Sequence, residues 1–226
     1  MRLTDAAEGA FDPAWTPDGR KLAIEADFGD GTGIFLIPAR KGHGEFVTAD
    51  QAKRVTRVTG GGFDSEPQVS PNGRWIVFTR FSVECTSDDT FEQCTTRLFR
   101  VRTDGSKLQQ LTRAELNASA PDYHPSGRRI AFDTHDNDVA PNSGHIMVMR
   151  PNGSKKRVIV HGDDDDFFNN PSFSPNGRKV SFARWGAADP EPAPRIWTAR
   201  AGGRNPHQLL DSPTGDNKPD WGPRPH

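Results

Sequence analysis

The stretch NPSFSPNGRKVSF (170–182) decides the fold, because the chain repeats it: DPAWTPDGRKLAI (12–24), EPQVSPNGRWIVF (66–78) and APDYHPSGRRIAF (120–132) are variants of it, and KPDWGP (218–223) starts a fifth. The leading prolines, Pro13, Pro67, Pro121, Pro171 and Pro219, fall at intervals of 54, 54, 50 and 48 residues. A period near 50 residues marks one supersecondary unit used repeatedly.

Each unit reads as strand, tight turn, strand. Pro17, Pro71, Pro125 and Pro175 bring a fixed φ to the first central turn position. Gly19, Gly73, Gly127 and Gly177 accept the positive φ two residues later. The following strand alternates apolar residues, as in Leu22 and Ile24 or Val180 and Phe182, so one face is buried. A loop of variable length leads to a third strand, IFLI (34–37), LFRV (98–101), IMVM (146–149) and IWTA (196–199). Turns at TDGS (103–106), PNGS (151–154) and AGGR (201–204) then lead to a short charged fourth strand, suited to an exposed edge. The first unit departs from this plan, with a long insert from Pro38 to Lys53. No window shows a helical period, and 22 Gly with 19 Pro among 226 residues indicate a turn-rich, all-β chain.

Four-stranded units at this spacing predict the blades of a β-propeller. The motif P-x-[WVYF]-[ST]-P-[DN]-G-[RK]-x-[IVL]-x-F resembles the WD-like repeat of the TolB-type six-bladed β-propellers, over nearly the whole chain. The third unit departs from it, with His124 in place of Ser or Thr and Ser126 in place of Asp or Asn. The N-terminal α/β domain of TolB has no counterpart, which separates the chain from the TolB role of linking Pal and the Tol membrane complex in the cell envelope.

The expected organisation is a single, partial propeller with blades at 13–59, 67–112, 121–160 and 171–210. An orphan outer strand at Arg2 to Thr4 precedes them, and an orphan inner strand, 219–223, starts a closing blade. This imbalance predicts truncation: Met1 is a mis-called start or fragment boundary, preceded by a signal peptide and one or two blades. A partner chain that closes the ring, or a distorted ring of four blades, are the alternatives. An open arc exposes sheet faces at its ends and is expected to self-associate.

Charge is divided by face. Loops on the side of the strand 2 to strand 3 connections hold 24 of the 30 Asp and Glu but 5 of the 29 Lys and Arg. That acidic face also holds most of the loop variation, and variable loops on a rigid scaffold usually carry binding. It repels phosphate, so nucleic acid is excluded there. The basic face, with Arg20, Lys21, Arg74, Arg128, Arg129, Arg178 and Lys179, lacks the interleaved aromatics of single-strand binders. No apolar run approaches the roughly 18 residues a membrane span needs.

Candidate ligand contacts are Asp64, Glu66, Asn169, Asn170, Asp216 and Asn217, which precede the inner strands and are expected to ring the channel mouth. Asp163, Asp164, Asp165 and Asp166 form the densest acidic run. It could hold calcium, although it lacks the alternating spacing of a calcium loop and reads more simply as a solvated loop. Asp27 and Asp30 belong to a Gly-rich hairpin loop, and His135 and His145 flank a loop with transition-metal residue types but arbitrary spacing. His124 ends an inner strand, where it lines the channel or caps the turn.

Cys85 and Cys94 enclose eight residues in the longest loop. With no neighbouring His they make a poor zinc site, and a disulfide there would contribute about 2 to 3 kcal/mol; reduced thiols in a cytosolic loop are the alternative. A disulfide agrees with the oxidising compartment that the resemblance implies.

No nucleophile elbow, zinc-protease helix, P-loop or dinucleotide fingerprint occurs. The expected function is a non-catalytic TolB-like scaffold, periplasmic or secreted in its full form, that binds a protein, a peptide or a cation-bridged ligand on the acidic face. The propeller of a prolyl-oligopeptidase-type peptidase is the alternative, and a metal-dependent propeller enzyme a lesser one.

Overall fold

The computed structural model describes residues 4, 9–39, 46–59, 61–82, 95–135, 144–162, 166–186, 194–209 and 215–221. The chain divides into two compact units, Met1–Ala114 and Glu115–His226, each built from two four-stranded antiparallel blades.

In the first unit, blade 1 comprises β1 (Ala10–Trp15), β2 (Lys21–Ala26), β3 (Gly33–Pro38) and β4 (Lys53–Arg54). Blade 2 comprises β5 (Phe63–Val69), β6 (Trp75–Phe81), β7 (Thr96–Arg102) and β8 (Gln109–Gln110). In the second unit, blade 3 comprises β9 (Ala118–Tyr123), β10 (Ile130–His135), β11 (Gly144–Met149) and β12 (Arg157–Val160). Blade 4 comprises β13 (Asp166–Phe173), β14 (Lys179–Gly186), β15 (Arg195–Arg200) and β16 (His207–Gln208). A parallel bridge, Gly144 to Phe167, joins blades 3 and 4. The helical content of the described residues is a short 3-10 turn at Ala114–Leu116, and no helix is long and apolar enough to cross a membrane.

The hairpins follow the expected turn chemistry. Gly19, Gly73, Gly127 and Gly177 have φ between 65° and 68°, and their N–H groups donate to the carbonyls of Thr16, Ser70, His124 and Ser174. In three turns the first side chain bonds the third: Thr16 to Asp18, Ser70 to Asn72 and Ser174 to Asn176. The Asp or Asn also accepts the N–H of Arg20, Arg74 or Arg178.

The inner strands begin earlier than the prolines suggest. Asp64, Glu66, Asn169 and Asn170, expected in loops, lie within β5 and β13. The chain stays extended there by means of a bulge: the residue before each proline, Asp12, Glu66, Ala120 or Asn170, has a φ of 46°, 53°, 46° and 51° respectively. Pairing slips at all four places. A proline cannot donate to the ladder, so a bulge accommodates it mid-strand. A left-handed non-glycine residue costs about 1 to 3 kcal/mol, which the same surroundings sustain four times over.

Packing is between successive blades. Ala14, Ala23, Ile34, Leu36 and Val55 of blade 1 meet Val69, Ile76, Phe78 and Val101 of blade 2. In the second unit Ala131, Ile146, Val148 and Val160 meet Phe173, Val180, Phe182 and Ala199. The blade 1 face opposite to this interface is covered as well. Leu22, Ile24, Phe35 and Ile37 are buried against Ala39 and Val47 of the first unit's insert.

At the ends, Thr4 forms a parallel bridge with Val47, while Arg2 and Leu3 lie outside the described residues. Among the described residues, 219–221 of the expected inner strand joins no ladder, and the Trp221 indole N–H donates to the Ser172 carbonyl of β13.

Candidate functional site

On the acidic side of the second unit the described residues form a cleft of about 580 Å³. Trp185, Pro194, Ile196 and Pro219 supply its apolar surface, and Asp216, Asn217 and Lys218 its polar rim. Its volume falls within the usual range for ligand sites. Trp185 comes from the end of β14, opposite Phe167 of β13, and Ile196 from β15.

The segment that carries the rim is anchored at three points. The Asp216 N–H donates to the Pro194 carbonyl at 2.8 Å. The Asn170 side-chain amide donates to the Asn217 carbonyl at 2.8 Å, and the Trp221 indole N–H to the Ser172 carbonyl at 3.1 Å. Asp216, Asn217 and Lys218 keep their side chains exposed. The Trp185 indole N–H is buried with no acceptor among the described residues.

Asn170 is thereby a support beneath this cleft. Its own N–H donates to Asp133 Oδ2 at 2.7 Å, and the Ser119 hydroxyl donates to the other oxygen of the same carboxylate. Asn169 Oδ1 is buried with no donor among the described residues.

In the first unit the expected contacts are committed internally. Asp64 is fully buried and pairs bidentately with Arg80, at 2.6 Å from Nε and 2.8 Å from Nη2. The Arg80 guanidinium lies 4.6 Å from the Phe99 ring centre. Glu66 accepts the Thr79 hydroxyl at 2.7 Å. The Ser65 hydroxyl donates to Glu25, with Asp12 Oδ2 at 3.4 Å.

A two-blade alternation emerges. In blades 2 and 4 an arginine of the second strand, Arg80 or Arg184, pairs with an aspartate of the first, Asp64 or Asp166, and covers an aromatic of the third, Phe99 or Trp197. In blades 1 and 3 the acid of the second strand, Glu25 or Asp133, instead reaches the first strand of the following blade. Much of the acidity assigned to one face is therefore structural. The pattern is present in the residues LAIEA, IVFTR, IAFDT and VSFAR, but its meaning depends on which side chains meet.

Of the acidic run, Asp166 is paired with Arg184, and Asp163, Asp164 and Asp165 lie outside the described residues, as do Cys85 and Cys94. Asp27 accepts the N–H groups of Gly29 and Gly31, and Asp30 pairs with Arg54 and Arg57. His135 packs on Phe167, and His145 Nδ1 accepts the Gly162 N–H at 3.0 Å. Among the described residues no three His, Cys, Asp or Glu side chains are gathered for a metal ion.

Among the described residues, Asp122, which the sequence reading passed over, is a titratable group strongly altered by the fold. Burial pushes its carboxyl up to about 7, against the Phe173 N–H that donates to it at 2.6 Å, and the Asp220 carboxylate adds to the rise. The only signal was an Asp at the position where the other units carry Ala14, Gln68 and Ser172.

The TolB β-propeller domain model matches residues 2–225. The chain belongs to the TolB β-propeller domain family. Within that family, an uncharacterized protein of Agrobacterium fabrum, Atu1656, is 28% identical over 177 residues, 76% of this chain and 53% of its own length. The uncharacterized peptidase YuxL of Bacillus subtilis is 25% identical over 80% of this chain, which spans 22% of that protein. The chain thus spans about half the length of one curated relative and a fifth of the other. A solved structure assigned as TolB from Agrobacterium tumefaciens superposes with a TM-score of 0.73 at 24% identity, over 97% of this chain and 73% of that one. The TolB-like propeller fold is shared by proteins that bind and by proteins that catalyse, so the function has to be argued from this chain's own cleft.

Proposed function

We propose that this TolB-type chain is a non-catalytic binding scaffold whose acidic loop side takes a protein or peptide ligand, in a periplasmic or secreted setting. The observation that supports this reading is the cleft of Trp185, Pro194, Ile196 and Pro219 with Asp216 and Asn217 exposed on its rim. An apolar floor with a carboxylate and an amide suits an extended peptide that buries an apolar side chain and carries a neighbouring cationic group. Asp216 and Asn217 are the proposed contacts, with Asn169 and Asn170 beneath them. Asp64 and Glu66 hold the corresponding strand of the first unit. Calcium at 163–166 and the Cys85 to Cys94 disulfide remain part of the proposal.

Titration of intrinsic tryptophan fluorescence with an arginine- and proline-rich peptide tests this. Asp216→Lys is expected to weaken binding at least tenfold, about 1.4 kcal/mol, with an unchanged thermal midpoint. Equal affinity for an acidic peptide, or no effect of Asp216→Lys, would defeat the reading.

The similarity to YuxL supports a second reading, a propeller that gates a peptidase active site. It predicts that the chain binds a separately produced α/β-hydrolase domain of a YuxL-type peptidase and changes that domain's preference for substrate length. A hydrolase domain that neither binds nor responds would remove it.

A further inference from the structure

Within each unit the hairpins between first and second strands and the turns between third and fourth strands leave the same end of the sheet, because the strands are antiparallel. In the second unit this turn end comprises 123–131 and 147–158 of blade 3, and 173–181 and 197–208 of blade 4. The cleft lies among the loops at the other end. The four turn segments contain ten Lys and Arg and no Asp or Glu. The turn end of the first unit is mixed: 15–23 and 99–110 place Asp18 and Asp104 beside Arg20, Lys21, Arg100 and Arg102.

The contrast lies at single positions within the turns. Each turn uses a side-chain oxygen that accepts the N–H two residues on. In the first unit Asp18 accepts from Arg20 at 3.1 Å and Asp104 from Ser106 at 2.8 Å. In the second unit Asn176 accepts from Arg178 at 2.9 Å, Asn152 from Ser154 at 3.1 Å and the Ser126 hydroxyl from Arg128 at 3.4 Å. The bonds are the same and the charge is gone. Asp18 and Asp104 also stay ionised, because Thr16 and Arg20 at the first, and Ser106 at the second, hold the carboxyl below its usual range. They offset part of the positive charge there, and the turn segments of the second unit contain no carboxylate to do so.

Nine of the ten cations are exposed. The tenth, Arg129, lies 5.8 Å over the Phe173 ring centre and reaches the Ala201 carbonyl at 3.4 Å. Arg128, Arg178, Lys179, Arg200 and Arg204 have no carboxylate partner among the described residues. Cations guard an outer strand against unwanted pairing, which accounts for Arg157 of β12. Arg128, Arg178 and Arg204 stand in turns, where there is no ladder to guard.

We propose that the turn end of the second unit is a docking surface for an anionic phospholipid bilayer, held at the headgroups without insertion. Six of the nine exposed cations are arginines, whose guanidinium forks grip phosphate oxygens in pairs. Four turns on two joined blades spread these cations over a front, which matches a surface of repeated phosphates better than one small anion. The aromatic side chains of the segments, Tyr123, Phe173 and Trp197, are buried or half-buried, so they offer no exposed ring for stacking bases. Docked this way, the second unit turns its cleft away from the membrane. A nucleic-acid duplex presents the same phosphate chemistry, and the choice of lipid rests on the periplasmic or secreted setting proposed above.

Co-sedimentation with phosphatidylcholine vesicles carrying about one-third phosphatidylglycerol tests this, with pure phosphatidylcholine vesicles and a phosphate-matched DNA duplex as the other probes. The chain is expected to bind the anionic vesicles at least tenfold more strongly than the neutral ones, and to release them as salt shortens the screening length from about 10 Å at 0.1 M to about 3 Å at 1 M. Arg128→Glu with Arg178→Glu should weaken vesicle binding at least tenfold. Arg20→Glu with Arg74→Glu makes the same change of net charge at the corresponding positions of the first unit, and should weaken it less than threefold. Asn152→Asp with Asn176→Asp keeps both turn acceptors, and should weaken it at least threefold with an unchanged thermal midpoint. No preference for anionic vesicles, equal losses in the two arginine pairs, or tighter binding to the duplex than to the anionic vesicles would overturn the proposal. Titration with the arginine- and proline-rich peptide is expected to give the same result in all these variants, so a cleft that takes no peptide would remove the scaffold reading and leave the vesicle result standing.

Discussion

His124 Nε2 donates to the carbonyl oxygen of Gly177 at 3.0 Å, tying the hairpin of blade 3 to the hairpin of blade 4. The direction follows from the other ring nitrogen: Nδ1 accepts the Ser126 N–H at 3.1 Å, so the proton is on Nε2. The ring also stands edge-on to Phe173, 4.8 Å between centres. Both departures of the third unit from the repeat are thereby explained. Ser126 takes over the bond that Asp or Asn makes to the N–H two residues on, and His124 caps the turn while reaching 53 residues along the chain.

A neutral His124 makes stability depend on pH. Its pKa lies below the ordinary 6.5, chiefly from burial, with the Gly177 carbonyl opposing and the Arg129 charge adding. The unfolded chain therefore takes up this proton more readily. The contribution is complete above about pH 6.5 and is lost as pH falls below it. Thermal midpoints between pH 5 and 8 are expected to fall less on acidification in His124→Ser than in the natural chain; parallel curves would refute this.

Gly177 and Gly19 separate strain from crowding. Their φ values are nearly equal, 67° and 65°, but a Cβ on Gly177 would sit 2.5 Å from the His124 ring, whereas one on Gly19 meets nothing within 4 Å. Gly19→Ala is expected to cost about 1 to 2 kcal/mol from the backbone alone. Gly177→Ala should cost about 1 to 3 kcal/mol more. Urea unfolding of Gly177→Ala with and without His124→Ser checks this, since removal of the ring should recover the excess.

Asp122→Asn is expected to stabilise the protein in mild alkali. The folded carboxyl titrates near 7, above its unfolded value, so its stabilisation is present at low pH and is lost as pH rises from about 4 through 7. Asparagine keeps an acceptor for the Phe173 N–H without the buried charge. The comparison to make is urea midpoints at pH 5 and pH 8; an equal or lower midpoint for the variant at pH 8 would contradict it.

Asp64 and Arg80 should be coupled. Arg80→Met leaves a fully buried carboxylate without its cation and is expected to cost about 3 to 5 kcal/mol. Arg80→Met with Asp64→Leu should cost less than Arg80→Met alone. A double-mutant cycle on unfolding free energies measures the coupling, and additive losses would show that the pair acts independently.

The sequence by itself determined the blades. Turn residues act locally: Pro17 and Gly19 specify their hairpin whatever surrounds them, and alternating apolar residues specify which side of β2 is buried. Similar local chemistry at a period near 50 residues is sufficient for the repeat, and the family model agrees with the propeller fold. Even the insert from Pro38 to Lys53 was legible, as a departure from the short turn that joins the third and fourth strands of the other units.

What the tertiary structure decided is which polar residues are free to act. Asp64, Asp133 and Asp216 look alike in a sequence, yet the first is sealed against Arg80, the second holds the following blade, and the third stands exposed on a cleft. The partner of each lies 16 to 37 residues away or, for Asp216, on the Pro194 side of its own cleft. Such pairings depend on how twisted sheets stack, and no local propensity encodes that. The pKa of Asp122 and the covering of Leu22 and Ile24 by Val47 arise for the same reason: burial belongs to the packed blade, and the residue type alone does not contain it.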